Sequence, residues 1–232
     1  MRKIKFSEGE YYHIYNRGIE KRIIFLDRND YDRFMLLLDV ANSKKPVHLQ
    51  KRECSSQGGA STLTNPGILD KGESLVEIGA YCLMPNHFHL LLKEKQNEGI
   101  RLFMHKISTA YTMYFNKKYE RVGPLFQGVF KAQHADSDEY LKYLFSYIHL
   151  NPIKLIDPKW KERGLTLRTG IVLDYLAHYE HSSFMDLFVG NRGERNILNI
   201  EEFPEYFINK KDFLDNIFNW LSFGAEIKTT EV

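Results

Sequence analysis

His87-Phe88-His89 carries the sharpest chemical signal in the chain. Alternate residues of a strand share a face, so a strand here projects both imidazoles to one side and sends Phe88 into the opposite layer. That arrangement suits two ligands of one metal ion, and it equally suits two partly exposed rings hydrogen-bonded to neighbours. Tyr147 and Asn151 give the second signal. Four residues apart on a helix that must end before Pro152, they share a face offset from the apolar positions Leu141, Leu144 and Ile148. A phenol there can act as a nucleophile with an amide oxygen beside a metal; most of the chain's 14 tyrosines must instead be packing residues.

The surrounding pattern shows which elements have to position these groups. Residues 11–17 alternate and are rich in aromatics, which predicts a strand ending at Gly18. Asp27 with Asp30 marks a helix start, and Tyr31, Phe34, Leu37, Leu38 and Ala41 form its apolar stripe. Val76, Ile78, Ala80 and Cys82 alternate in a strand, and a Met84-Pro85-Asn86 turn joins it to a second strand over 87–93 as a hairpin. An amphipathic helix follows over 98–118, broken at Gly123-Pro124. Residues 125–134 read as a short strand or a basic loop, and Asp136-Ser137 opens the helix that carries Tyr147. Residues 44–74 lose hydrophobic periodicity and read as a polar insertion. Beyond 158 loops and one or two helices are expected, the last around 210–222. This order predicts an α+β sandwich, an antiparallel sheet with helices on one face. The expected division is a domain over 1–157 and a partly helical C-terminal extension over 158–232.

Composition bounds the function classes. The 232 residues are 43% hydrophobic and 27% charged, an ordinary globular balance. No apolar run approaches the length needed to span a bilayer, and the N-terminal Met-Arg-Lys-Ile-Lys leads into no apolar signal core. Two cysteines exclude a disulfide framework or a four-cysteine zinc site, so a reduced, cytoplasmic protein without membrane attachment is expected. The net charge of +2 is unevenly spread. Arg101, Lys106, Lys117, Lys118, Arg121 and Lys131 lie between 100 and 135 against the single acid Glu120, while residues 194–232 carry four bases and eight acids. A basic middle suits a face presented to phosphates.

Taken together, these motifs resemble a known family. Met84-Pro85-Asn86-His87-Phe88-His89-Leu90-Leu91 resembles the metal-binding strand of the HUH single-strand transposases. Tyr147-Ile148-His149-Leu150-Asn151-Pro152 resembles the catalytic-helix signature of their REP-associated tyrosine transposase branch. Supporting blocks occur in the family's order: Tyr12-His13 to Arg17-Gly18, Gly123-Pro124-Leu125-Phe126-Gln127-Gly128, and Ser182-Ser183-Phe184. The resemblance covers about 11–157, apart from 44–74, and 178–190 patchily.

The resemblance implies a ferredoxin-like HUH domain, with His87, His89 and Asn151 as metal ligands and Tyr147 as nucleophile. Mg²⁺ or Mn²⁺ is the expected ion, with zinc as a further possibility for such a ligand set. The implied activity is cleavage and rejoining of single-stranded DNA beside hairpins through a 5′-phosphotyrosine intermediate. Arg17, Lys106, Lys117, Lys118, Arg121 and Lys131 are the expected phosphate contacts. Val129 stands where the family commonly carries arginine, a departure for which Lys131 could compensate. Two other readings stay open: a domesticated hairpin-binding protein of the same fold, and a metal phosphodiesterase that uses water as nucleophile. A monomer is favoured over a homodimer because of the C-terminal additions.

Overall fold

The computed structural model describes residues 4–45, 72–190, 192, 196–206, 212, 213 and 215. Most of the polar stretch 44–74, and the helix expected over 210–222 apart from residues 212, 213 and 215, lie outside the described residues.

Four antiparallel strands form one sheet in the order β2-β3-β1-β4. They are β1 (Tyr11–Arg17), β2 (Val76–Met84), β3 (His87–Glu94) and β4 (Lys131–His134); the stretch before β4 is largely irregular, but Phe126 bridges Gly18 and Gln127 donates to the Arg17 carbonyl at the end of β1. Helix α1 (Arg28–Val40) begins as expected: Asp27 and Asp30 form a reciprocal capping box. Helix α2 (Gly99–Lys118) has no side-chain cap from its own N-cap residue, Glu98. The last residue of β3 does that work instead. The buried Glu94 carboxylate accepts the Gly99 and Ile100 amides at 3.0 and 2.7 Å, tying the helix start to the strand end. Helix α3 (Asp138–Leu150) starts at Ser137, whose hydroxyl accepts the Tyr140 amide.

The α+β sandwich is as expected, but helices cover both faces rather than one. On the first face Ile14, Tyr81, Leu83, Phe88, Leu90 and Leu92 pack against α1 and α2 through Phe34, Leu38, Phe103 and Tyr111. On the second face Ala80, Cys82, Met84 and Leu91 pack against Leu144 and Ile148 of α3. The reason lies in the strands themselves. All nine residues of β2 are buried, so both of its sides present surface that water penalises, by roughly 1.5–3 kcal/mol for each large apolar side chain.

Within β2 the simple alternation expected for Val76, Ile78, Ala80 and Cys82 fails. The register shifts between Ile78 and Ala80, a bulge that leaves Val76 and Ile78 on the first face and turns Ala80 and Cys82 to the second. Gly79 occupies the bulge, where a β-carbon would lie 2.7 Å from the Phe203 ring. Absence of a side chain lets the C-terminal segment press directly on the strand.

Residues beyond 157 complete the second core. Helices α4 (Trp160–Arg163), α5 (Thr169–His178) and α6 (Phe184–Phe188) contribute Trp160, Val172, Leu176 and Phe184 to it. They also cover the free edge of β2: Leu83 donates to the His181 carbonyl, Ser183 to the Tyr81 carbonyl, and Asn199 to the Ile78 carbonyl, all at 2.9–3.0 Å. A sheet edge left open would template aggregation, so this cover is protective as well as adhesive. No helix among the described residues is long and apolar enough to cross a membrane.

Candidate active site

Strand register brings the chemical groups together. Cys82, His89, Tyr15 and Lys131 form one cross-strand row, and Met84, His87 and Arg17 form the next. Partners directly opposite in a ladder face the same side, so His87, His89, Tyr15, Arg17 and Lys131 all project toward α3. Phe88 points the other way, its ring packed on Phe34 and Phe126. The period-2 expectation for the histidine pair is met.

His87 and His89 rings stand 5.0 Å apart and at right angles. His87 Nδ1 donates to Asn86 Oδ1 at 2.6 Å, while the Asn86 amide donates to the Lys21 carbonyl. His89 is buried, and its Nδ1 lies 2.9 Å from Nε2 of an equally buried third histidine, His13. Burial, then the Lys154 and Arg17 charges, lower the His87 pKa to about 4. Burial and Lys161 take His13 down to about 3, and burial with the neighbouring histidines and lysines takes His89 well below its usual range. All three rings are therefore neutral at pH 7, the state that can donate a nitrogen lone pair.

Tyr147 lies across from them on α3. Its ring is edge-on to His89 at 5.6 Å and to His13 at 5.8 Å. The sequence places this tyrosine off the core stripe, but only 9% of it is exposed because Tyr143 and the C-terminal segment close around it. Lys161 of α4 holds its ammonium 3.9 Å over the ring. Burial pushes the phenol up to about 12, with the Asn151 amide acting in the opposite direction. Asn151 caps the end of α3 and donates to the Tyr147 carbonyl at 2.9 Å, as an i,i+4 neighbour can.

Two buried polar atoms here have no hydrogen-bond partner, His89 Nε2 and Asn151 Oδ1. Orphaned buried groups are costly, by about 1–3 kcal/mol each; the Asn151 oxygen, and His89 Nε2 in the tautomer that leaves it a lone pair, are groups a cation can satisfy. Among the described residues no cluster of three His, Cys, Asp or Glu side chains could hold a metal. A divalent ion on this face would therefore be bound by imidazole nitrogens and an amide oxygen, with water or phosphate oxygens completing its shell. His87, His89 and Asn151 fit that requirement.

The expected DNA contacts divide between the two faces. Arg17 lies on the site side, its Nε donating to Gln127 Oε1, and Lys131 sits 5.8 Å over the Tyr15 ring. Lys106, Lys117, Lys118 and Arg121 belong to α2 and the turn after it, against the opposite face. Lys106 donates to the Ser43 and Lys45 carbonyls, Lys118 to Asp27 and the buried Asp30, and Arg121 to Asn116. His13, Tyr15, Lys154 and Lys161 join the site without having been singled out by spacing. His13 stands in the Tyr12-His13 block and shares the alternation of β1 with Tyr15, which is the signal that could have found it.

His149 is not part of the site. Its Nδ1 donates to the Phe145 carbonyl at 2.8 Å and its Nε2 accepts from Ser183 Oγ at 2.7 Å, so it pins α3 to the segment covering β2.

Residues 70–151 match the family model described as "Transposase IS200 like". A search of curated proteins finds no match. Among solved structures, a REP-associated tyrosine transposase bound to a REP hairpin superposes with a TM-score of 0.48 at 12% identity, covering 81% of this chain and 84% of that one. The family match spans the hairpin with both histidines, helix α2 and helix α3 as far as Asn151. Over residues 70–151, about a third of its length, the chain is similar to the IS200-like transposase family.

Proposed function

We propose that this chain is a metal-dependent tyrosine transposase or nuclease of the REP-associated branch, cutting and rejoining single-stranded DNA beside hairpins. The observation that carries the reading is the placement of Tyr147 edge-on to His89, with two unpartnered buried polar atoms, His89 Nε2 and Asn151 Oδ1, on the same side of the sheet. His87, His89 and Asn151 would hold a Mg²⁺ or Mn²⁺ ion, which when bound supplies positive charge to the scissile phosphate. Assignment to the REP-associated branch rests on the Tyr147–Pro152 signature and the Gly123–Gly128 block.

The protein's own groups do the rest. The Tyr147 hydroxyl attacks phosphorus, its proton leaving as the Oη–P bond forms. The P–O3′ bond breaks and the departing 3′ oxygen takes up a proton. The product is a 5′-phosphotyrosine and a free 3′-hydroxyl, so the energy of the cut phosphodiester is kept for rejoining. A second strand's 3′-hydroxyl reverses the same exchange. Because Tyr147 is nearly enclosed, a phosphodiester must leave a duplex to meet it, which favours single strands. Arg17 and Lys131 flank the approach and supply sequence-independent phosphate contacts. His149, buried and doubly hydrogen-bonded, takes no part in the proton transfers.

The test is a denaturing gel of the full chain with Mn²⁺ or Mg²⁺ and 3′-end-labelled single-stranded hairpins from DNA flanking its gene. A labelled covalent adduct that disappears in Tyr147→Phe and in His87→Ala is expected. Cleavage that survives Tyr147→Phe without an adduct would point to water as nucleophile, and tight hairpin binding without cutting to a domesticated binder.

A further inference from the structure

His13 is a buried imidazole whose Nε2 lies 2.9 Å from His89 Nδ1, across the β1–β3 pair. A hydrogen bond between two neutral imidazoles has one donor and one acceptor, so the pair has two possible arrangements. In one, His89 donates its Nδ1–H to His13 and keeps a lone pair on Nε2. In the other, His13 donates and His89 carries its proton on Nε2. His89 Nε2 is buried without a hydrogen-bond partner, so the arrangement decides whether that orphan is an acceptor or a donor.

The neighbouring ligand shows which arrangement the site is built for. His87 Nδ1 bonds Asn86 Oδ1 at 2.6 Å, and the Asn86 amide is itself committed to the Lys21 carbonyl. Asn86 can therefore only accept from His87, which fixes the His87 proton on Nδ1 and leaves its Nε2 as the basic nitrogen. A cation shared by both rings needs the same state in His89. That state requires an acceptor at His89 Nδ1, and His13 Nε2 is the atom placed to be one.

We infer that His13 is a positioning residue that accepts the Nδ1 proton of His89, holding the His89 ring so that its Nε2 lone pair faces the metal position, as Asn86 does for His87. The inference rests on the reading of His87 and His89 as metal ligands. Partners of this kind fix the tautomer and orientation of a ligating ring, and their removal costs about 10–100-fold in metal affinity. His13 sits too deep to meet DNA, and its ring stacks on His89 at 5.1 Å between centroids, so the support is geometric as well as through the hydrogen bond.

Two measurements on the full chain test this. Long-range proton–nitrogen correlation spectra of histidine-labelled, metal-free protein report tautomers directly. The Nδ1–H form of His89 is expected, and the Nε2–H form overturns the inference. Mn²⁺ titration followed by the resonance of the free ion gives affinity without reference to DNA cleavage. His13→Phe is expected to weaken Mn²⁺ binding about 10–100-fold, while His13→Gln, whose amide oxygen can still accept from Nδ1, stays within about threefold of wild type. Unchanged affinity in His13→Phe, or equal loss in both variants, overturns the inference. If His87→Ala abolishes binding while His13→Phe does nothing, only the role of His13 falls. If His87→Ala also leaves affinity unchanged, the metal reading falls and takes the inference with it. Should His13→Phe fail to fold, the wild-type tautomer and the Gln variant still decide.

Discussion

Lys161 holds its ammonium 3.9 Å above the ring of Tyr147, although the two belong to different helices and Lys161 lies beyond the segment matched by the family model. The cation is carried by α4, which Trp160 anchors in the second core. On the proposed mechanism, in which Tyr147 attacks phosphate, a positive charge over its ring would stabilise negative charge as it builds in the reaction. Lys161→Gln is expected to slow covalent adduct formation about 10²-fold, with Lys161→Arg recovering most of the loss. Because Lys161 is partly exposed, its stability effect should be within about 0.5 kcal/mol. Adduct rates and thermal melts on the same preparations check both halves, and a wild-type rate in Lys161→Gln would remove this lysine from the chemistry.

The two faces of the sheet make a different prediction about DNA affinity. Arg17 and Lys131 share the histidine side, whereas Lys106 and Lys117 sit on α2 behind the other core. Each lost phosphate contact to a single strand reduces the slope of log K against log salt by about 0.7. Arg17→Gln and Lys131→Gln are each expected to flatten that slope by about this amount. Lys106→Gln and Lys117→Gln should leave it unchanged. Filter binding of a labelled hairpin between low and moderate salt gives the four slopes, and the reverse pattern would mean that DNA runs over α2.

Gly18 follows Arg17, and its need for a missing side chain is steric rather than conformational. Its φ is −62°, open to any residue, but a β-carbon would lie 2.3 Å from the Arg22 carbonyl oxygen. That atom is backbone, so the turn itself must move. Gly18 also donates to the Asn86 carbonyl at 2.8 Å, which joins the end of β1 to the turn before His87. Gly18→Ala is therefore expected to cost about 1–3 kcal/mol in chemical denaturation and to weaken hairpin binding through the displaced Arg17. A stable, tightly binding Gly18→Ala protein would show that this corner is softer than its contacts imply.

Much of the site is legible in the sequence because its parts obey local periods. His87 and His89 are two apart on a strand, and Tyr147 and Asn151 four apart on a helix, so each pair declares its shared face without knowledge of the fold. The capping box at Asp27 and the stop at Pro152 are equally local. What stays hidden depends on contacts distant in the chain. His13 reads as one more ring in an aromatic strand until β1 pairs with β3 and brings it to a residue 76 positions away. Lys161 lies in a stretch with little periodicity, and only the packing of Trp160 shows where it points. The bulge at Gly79 reverses the faces of β2 in a way simple alternation cannot anticipate. Charge runs are incomplete signals for a related reason: the bases of α2 mark an outer helix face, but not which side of the sheet that helix covers.

His149 supplies a stability prediction independent of catalysis. Burial lowers its pKa from 6.5 to about 3, the Phe145 carbonyl opposing only weakly. In the unfolded chain the imidazole takes up a proton as pH falls below 6.5, whereas in the folded protein it stays neutral down to about 3. Between those values the unfolded state binds more protons, so acid destabilises the fold. The contribution is fully present above pH 6.5 and is lost as pH falls toward 3, at about 1.4 kcal/mol per pH unit for one group. His149→Met should be less stable than wild type at pH 7.5, because it loses the bond from Ser183, yet should lose stability more slowly as pH falls. Removing one titrating group shallows the dependence by up to the same 1.4 kcal/mol per unit, while the other buried histidines keep the remainder of the slope. Urea denaturation in EDTA at half-unit steps from pH 7.5 to 4.5 separates the two effects, since chelation removes any metal contribution. Parallel slopes for the two proteins would mean that His149 ionises in the folded state, and the Ser183 contact would then have to break without unfolding the helix.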